Sequence, residues 1–239
     1  MTGIVTSVGN LRLMTGISFK SISNVLAITS GLLVIKVTVE VALGYSKYFP
    51  PNFESEFLYG RQHYFFGAYC WAFYPHIVSG PLALLLGLVL ISERFRRRFP
   101  KWHRNLGRIH VVNVLGIVAP SGLWMARDTS TGTIAAISFA TLSVLTGTFI
   151  ALGWRAAVRL QFQVHRRWMW RSFLLLCSAV VLRLFGGLGT VMQVQSVWFD
   201  PIASWASWIL PLTAFELINH LTRIRIVKLV QSASSTYQR

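Results

Sequence analysis

Acidic residues are nearly missing from this sequence. Seven Asp and Glu stand against 23 Lys and Arg in 239 residues, and charged residues of both signs reach only 13%. A soluble domain carries about twice that charged fraction. So few carboxylates argue against paired-carboxylate hydrolysis and against hard-cation sites, which draw on several of them. Cysteine is almost as scarce. Cys70 and Cys177 both lie in apolar runs, so they read as small buried apolar side chains, with no disulfide framework and no CxxC pair. Zinc needs four close N, S or O ligands, and neither cysteine is near the histidines in sequence. No GxxxxGK[ST], GxGxxG, HExxH or GxSxG occurs, which removes the commonest nucleotide, protease and hydrolase signatures.

What is present is apolar. Hydrophobic residues make up 54% of the chain, and its mean hydropathy is +0.54. A membrane-crossing helix needs about 20 mainly apolar residues. Six stretches qualify, at about 21–44, 66–91, 109–126, 133–154, 172–195 and 202–221. The first starts near Ser21 and is too long for the apolar core of a cleavable signal, so it reads as a retained span. With no linker or low-complexity segment, residues 1–239 read as one integral membrane domain. The expected fold class is all-α, a polytopic bundle of six transmembrane helices.

The net charge of +16 invites a nucleic-acid reading, but the distribution of charge argues otherwise. Basic residues sit in short segments between apolar runs, as cytoplasmic loops do. Arg94, Arg96, Arg97, Arg98, Lys101, Arg104 and Arg108 fill the second loop; Arg155, Arg159, Arg166, Arg167 and Arg171 fill the fourth. Arg12 and Lys20 precede the first span, and Arg223, Arg225, Lys228 and Arg239 follow the last. The alternate loops are balanced: Lys47 and Arg61 against Glu54 and Glu56, Arg127 beside Asp128, and Asp200 without a basic neighbour. Both termini are therefore expected in the cytoplasm, with anionic lipid attracted to the basic loops.

Tryptophans 71, 124, 154, 168, 198, 205 and 208 lie toward span ends, as interfacial anchors do. Glycines 80, 87, 116, 122, 186, 187 and 189 would let helices approach closely. Pro75, Pro120 and Pro211 fall inside spans and are expected to kink them.

Ionisable groups inside spans are costly, so each is a functional hypothesis. Lys36 and Glu40 are four apart on one helix face, where they can neutralise each other. His76 and Arg183 each fall about 15–17 Å deep at 1.5 Å per residue, near the midplane. Arg183 needs an anionic partner: Glu40, Glu216, a propionate or a substrate. His103, His110 and His165 gather at the cytoplasmic boundary, with His220 at the same level and His63 at the outer one. A b-type haem takes two imidazoles from neighbouring helices at matched depth. His110 and His165 are the expected axial pair, His103 a substitute for either, and Arg104, Arg108, Arg166 and Arg171 neutralise propionates. The competing reading makes the three boundary histidines interfacial groups that meet lipid phosphate or loop carbonyls. His76 is either bonded across a helix interface or a ligand, quinone contact or proton relay.

The run YPHIVSGPLALLLGLVLISERFRRRFPKWHRNLGRIHVVNVLGIVAPSGLWMA, followed by HRRWMWRSFLLLCSAVVLRL, resembles a bacterial family catalogued as domain of unknown function 2306. The carrying positions are His76, Gly80, Gly87, His103-Arg104, Gly107, His110, Gly122, Met125-Ala126, His165-Arg166, Trp168-Met169, Arg171 and Arg183, within about residues 65–190. The resemblance implies a multi-pass protein of the bacterial inner membrane. The histidine pattern also looks like four-helix b-type cytochromes, which pair histidines at two depths, whereas this chain has a set only on the inner side. Three functions follow as expectations: electron transfer through haem b or quinone near the cytoplasmic face, a cofactor-free accessory subunit of a larger membrane complex, or a small-solute or proton transporter.

Overall fold

The computed structural model describes residues 19–55, 57–194 and 196–237, with side chains described from Val25 to Ile224. The side chains of Arg12, Lys20, Glu56, Arg225, Lys228 and Arg239, counted above for topology, lie outside this set. Among the described residues there is no strand. The elements are α1 (Phe19–Leu43), α2 (Gln62–Ile91), the short α3 (Glu93–Arg98), α4 (Pro100–Arg127), α5 (Thr133–Val158), α6 (Phe162–Val191) and α7 (Phe199–Tyr237). All except α3 are long and apolar enough to cross a membrane, so six spans are present.

The helices run further than the apolar stretches that announce them. α4 starts at Pro100, nine residues before the expected span, because proline suits a first helical turn and Trp102 and Leu106 continue the periodic face. α6 likewise starts at Phe162, so His103, His110 and His165 are all helical residues. The helix continues through Pro75, Pro81 and Pro211. Before Pro120 the turn widens over Val114–Val118, and the Ala119 N–H reaches back to the Val114 carbonyl. That extra residue absorbs the missing donor of the proline without ending the helix. At Cys177 the turn tightens, with the Val180 N–H on the Cys177 carbonyl at 2.9 Å.

α5 packs along α4 and α6, α2 lies against α4 and α6, α7 closes on α5 and α6, and α1 lies against α2 and the second half of α6. The central core draws Val34 and Val37 from α1, Ala83 and Leu84 from α2, Val111, Val114 and Val118 from α4, Ile150 from α5, and Leu176 and Val180 from α6. A second cluster caps one end with aromatic rings: Phe65, Tyr69 and Phe73, with Tyr45, Tyr48, Phe53, Tyr64 and Tyr74 around them. Arg61 is buried in that cap and donates to the Phe57 carbonyl and, at 3.2 Å, to Ser130 Oγ, with its guanidinium 4.6 Å from the Phe57 ring centre. It ties the 45–61 loop to the α4–α5 turn. The other end carries the arginine-rich segments and is called the basic end below. There, Ser92 caps α3, and the Arg97 guanidinium holds the Glu93 carboxyl below the usual carboxylate range.

Lipid tails are as apolar as leucine, so span association depends on close fit and interhelical hydrogen bonds. Three of the glycines picked out by sequence supply that fit. An added Cβ would lie 2.8 Å from the Phe173 ring at Gly87, 2.8 Å from Ser143 Oγ at Gly122, and 2.6 Å from the Phe199 ring at Gly189. Gly153 behaves the same way against Met169, whereas Gly80, Gly116, Gly186 and Gly187 face open space. Trp208, expected at an interface, is instead buried and donates to Ser138 Oγ at 3.0 Å, fastening α7 to α5. Gly87→Ala should cost about 1–3 kcal/mol by overpacking against Phe173, while Gly186→Ala should be neutral or slightly stabilising. Thermal unfolding of the two variants in one detergent checks the contrast, and equal midpoints would refute the close-contact reading of Gly87.

Candidate functional site

Continuous helix from Pro100 puts His103 and His110 seven residues apart, a rotation of about 700°, and so on nearly one face. Their depths differ by about 10 Å along the axis. α4 and α6 both start at the basic end, and His103 lies within electrostatic reach of His165 and Arg96. His110 sits deeper, against Gly87 of α2 and Phe173 of α6: an added Cβ at Gly87 would stand 3.6 Å from its Cε1. The structure therefore puts His165 and His103 at the same end of the bundle, within electrostatic reach of each other. It places His110 about two turns further into the bundle than His103.

The ring nitrogens are used unequally. His165 Nδ1 is 2.9 Å from the Gly153 carbonyl oxygen. A carbonyl only accepts, so Nδ1 carries the proton and Nε2 is left with a free lone pair. The close contact of Gly153 with Met169 and Trp168 is what lets that carbonyl approach. His103 Nδ1 and His110 Nδ1 are both buried without a hydrogen-bond partner, although His110 is only 5% exposed. A buried polar atom left unpaired is costly enough to need a reason. Three imidazoles with uncommitted nitrogens thus lie toward the basic end of the bundle, two on α4 and one on α6, helices that both pack on α2 and α5.

His76 belongs to another site. Its Nδ1 is 2.9 Å from Ser121 Oγ, and its Cε1 and Ser143 Oγ both approach the position a Cβ on Gly122 would occupy. This is the interhelical hydrogen bond weighed for His76, joining α2 to α4. Asn113 adds a second tie between the same helices, donating to the Ser79 carbonyl at 3.0 Å. Sequence reasoning passed over Asn113 because only charged or ionisable residues were weighed. Its signal was available: an amide inside an apolar run, three residues from His110 and so on its face.

The arginines separate in the same way. Arg171 grips Glu216 of α7 with two bonds, Nε to Oε1 at 2.6 Å and Nη2 to Oε2 at 3.0 Å. It also lies 4.6 Å from the Trp168 ring centre, and the chain neighbours of the pair, Trp170 and Phe215, stack on each other. The structure thus commits Arg171 to Glu216, away from any propionate, and Glu216 is no partner for Arg183. Arg104, Arg108 and Arg166 are exposed at the basic end, where Arg166 is within electrostatic reach of Glu93. Arg183 faces α1 at the opposite end, beside Tyr45, far along α6 from the histidines. His63 and His220 are exposed. No group of three or more His, Cys, Asp or Glu suited to a metal ion occurs among the described residues.

A family model described as a predicted membrane protein, DUF2306, matches residues 73–219, from α2 into α7. The chain belongs to that family. No curated protein and no solved structure matches it. The region matched in this DUF2306 protein holds His76, His103, His110, His165, Arg171 and Arg183, and leaves out His63, Arg61 and His220. It leaves out α1, and with it Lys36 and Glu40. The Arg171–Glu216 bond predicts coupled losses. Arg171→Met and Glu216→Gln should each lower the unfolding midpoint, and the double variant should be no worse than the worse single. The coupling read from that cycle should be about 1 kcal/mol, and strictly additive losses would refute the pairing.

Proposed function

We propose that this multi-pass membrane protein is a redox component of the bacterial inner membrane, with a cofactor site at its basic end between α4 and α6. The basic end faces the cytoplasm on this reading, because positively charged loops resist translocation. The observation that carries the proposal is the orientation of His165. Its Nδ1–H is held by the Gly153 carbonyl, which is how a protein fixes the tautomer of a ligating imidazole and raises the basicity of the other nitrogen. His103, near the start of α4 as His165 is near the start of α6, lies within electrostatic reach of it, and its own buried Nδ1 has no protein partner.

The donor set fits haem b better than a bare metal ion. Haem needs two imidazoles from neighbouring helices, whereas zinc needs four ligands, and no cluster of three is present among the described residues. His103 and His165 would hold the iron, replacing the expected His110–His165 pair, with Arg104 and Arg166 supplying positive charge at the same end. A bound haem would supply one-electron transfer. The chain's own contribution is to orient His165 through Gly153, to shield the deeper side with His110, Phe173 and the Gly87 contact, and to neutralise acidic groups at the rim. A quinone is the alternative occupant, since free imidazole nitrogens also donate to or accept from its oxygens.

Reduced-minus-oxidised spectra of the purified protein, expressed with added haem precursor, test this directly. The expected result is a Soret and alpha band with the signature of low-spin, bis-histidine iron. His103→Ala and His165→Ala should each abolish it, while His76→Ala should leave it intact. A colourless protein from a haem-replete membrane, with no quinone extractable from it, overturns the proposal. The accessory-subunit reading would then stand first.

A further inference from the structure

A cavity of about 340 Å³ opens between α1 and the second half of α6, at the end opposite the histidines. Lys36, Glu40, Tyr45, Tyr48 and Arg183 supply its polar wall, and Leu33, Val37 and Leu184 its apolar one. Lys36 Nζ is 3.1 Å from Glu40 Oε1, so these two charges offset each other. Arg183 is in no salt bridge among the described residues. Its guanidinium has the phenol of Tyr45 within electrostatic reach instead. The cavity therefore holds one positive charge in excess.

Depth makes that excess significant. Arg183 is eight residues from the Val191 end of its span and Glu40 seven from the Lys47 end, or about 10–12 Å in from that boundary. An uncompensated arginine at such depth is costly, and arginine stays charged, so an anion has to accompany it. Leu33 and Leu184 are partly exposed on the cavity rim, so the opening faces acyl chains as well as the outer boundary. We propose that this cavity binds the oxyanion head of an acyl-chain amphiphile, a carboxylate or phosphate. The planar guanidinium of Arg183 grips two of its oxygens, Tyr45 and Lys36 donate to it, and its chain lies along Leu33, Val37 and Leu184. Glu40 keeps Lys36 from adding a second net charge, which matches the site to a monoanion. This proposal rests on α1 and on Arg183, and does not depend on the histidine site.

Binding of cis-parinarate, a fluorescent fatty acid, to detergent-solubilised protein measures it. Oleate should displace the probe, and oleyl alcohol, with the same chain and no charge, should do so at least about tenfold more weakly. Arg183→Met should weaken binding by about 10- to 100-fold, with Arg183→Lys intermediate. Mass spectrometry of protein released from nanodiscs tells the sources apart: retained phosphatidylglycerol over phosphatidylcholine identifies a lipid phosphate, and oleate displacement alone a fatty acid. Equal displacement by oleyl alcohol overturns the charge argument, and displacement by acetate or inorganic phosphate at matched concentration overturns the acyl-chain argument. Both comparisons use the parent protein, so they decide the matter even if Arg183→Met fails to fold. A haem spectrum unchanged by oleate would keep the two sites separate.

Discussion

Every polar group that enters hydrocarbon has to find its partner inside the protein, and the architecture answers that demand at each level. Backbone groups are satisfied by helices, which is why the described spans are helical almost throughout, with a break at Gly67. Where proline removes a donor, as at Pro120, the preceding turn widens and the chain stays helical. Side chains meet the same demand across helices. His76 with Ser121, Asn113 with the Ser79 carbonyl, and Trp208 with Ser138 each join two spans through one hydrogen bond.

Those bonds require short distances, and glycine provides them. Gly87 admits Phe173 and, beyond it, His110; Gly122 admits His76 and Ser143; Gly153 admits Met169 and leaves its carbonyl facing His165. Close contact and polar satisfaction are thus one device. A larger residue at any of these positions would separate the helices, and at Gly122 or Gly153 it would also strain the hydrogen bond of His76 or His165. The exceptions are informative for the same reason. Unpaired nitrogens at His103 and His110, and an arginine in no salt bridge at Arg183, depart from that rule, as do Arg61 Nε and Ser172 Oγ among the described residues.

The unpaired histidines and Arg183 lie at opposite ends. At the basic end the unmet demand is for a partner to imidazole, which favours a metal-centred or hydrogen-bonding cofactor. At the aromatic end it is for an anion. Arg61 shows how the protein buries a guanidinium when no ligand is intended: carbonyl, hydroxyl and ring face surround it. Arg183 has a cavity where Arg61 has that shell.

Much of the fold was legible without coordinates. Hydropathy located all six spans, since an apolar run of that length has one stable form in a bilayer, and the Lys36–Glu40 pair followed from helical spacing alone. Span ends were less legible. Amphipathic turns such as Pro100–Arg108 carry too much charge to register as apolar, yet they continue the helix. Membership of the site was not legible at all. Hydropathy constrains depth but leaves each helix free to rotate about its axis. Only packing decided that His103 comes within electrostatic reach of His165 while His110 lies against Gly87, and that Arg171 turns to Glu216. The sequence determined how many helices are long and apolar enough to cross and where along each of them its charges fall. The tertiary structure alone decided which charges and imidazoles meet, because contact depends on helix rotation and on the small residues that let neighbours close.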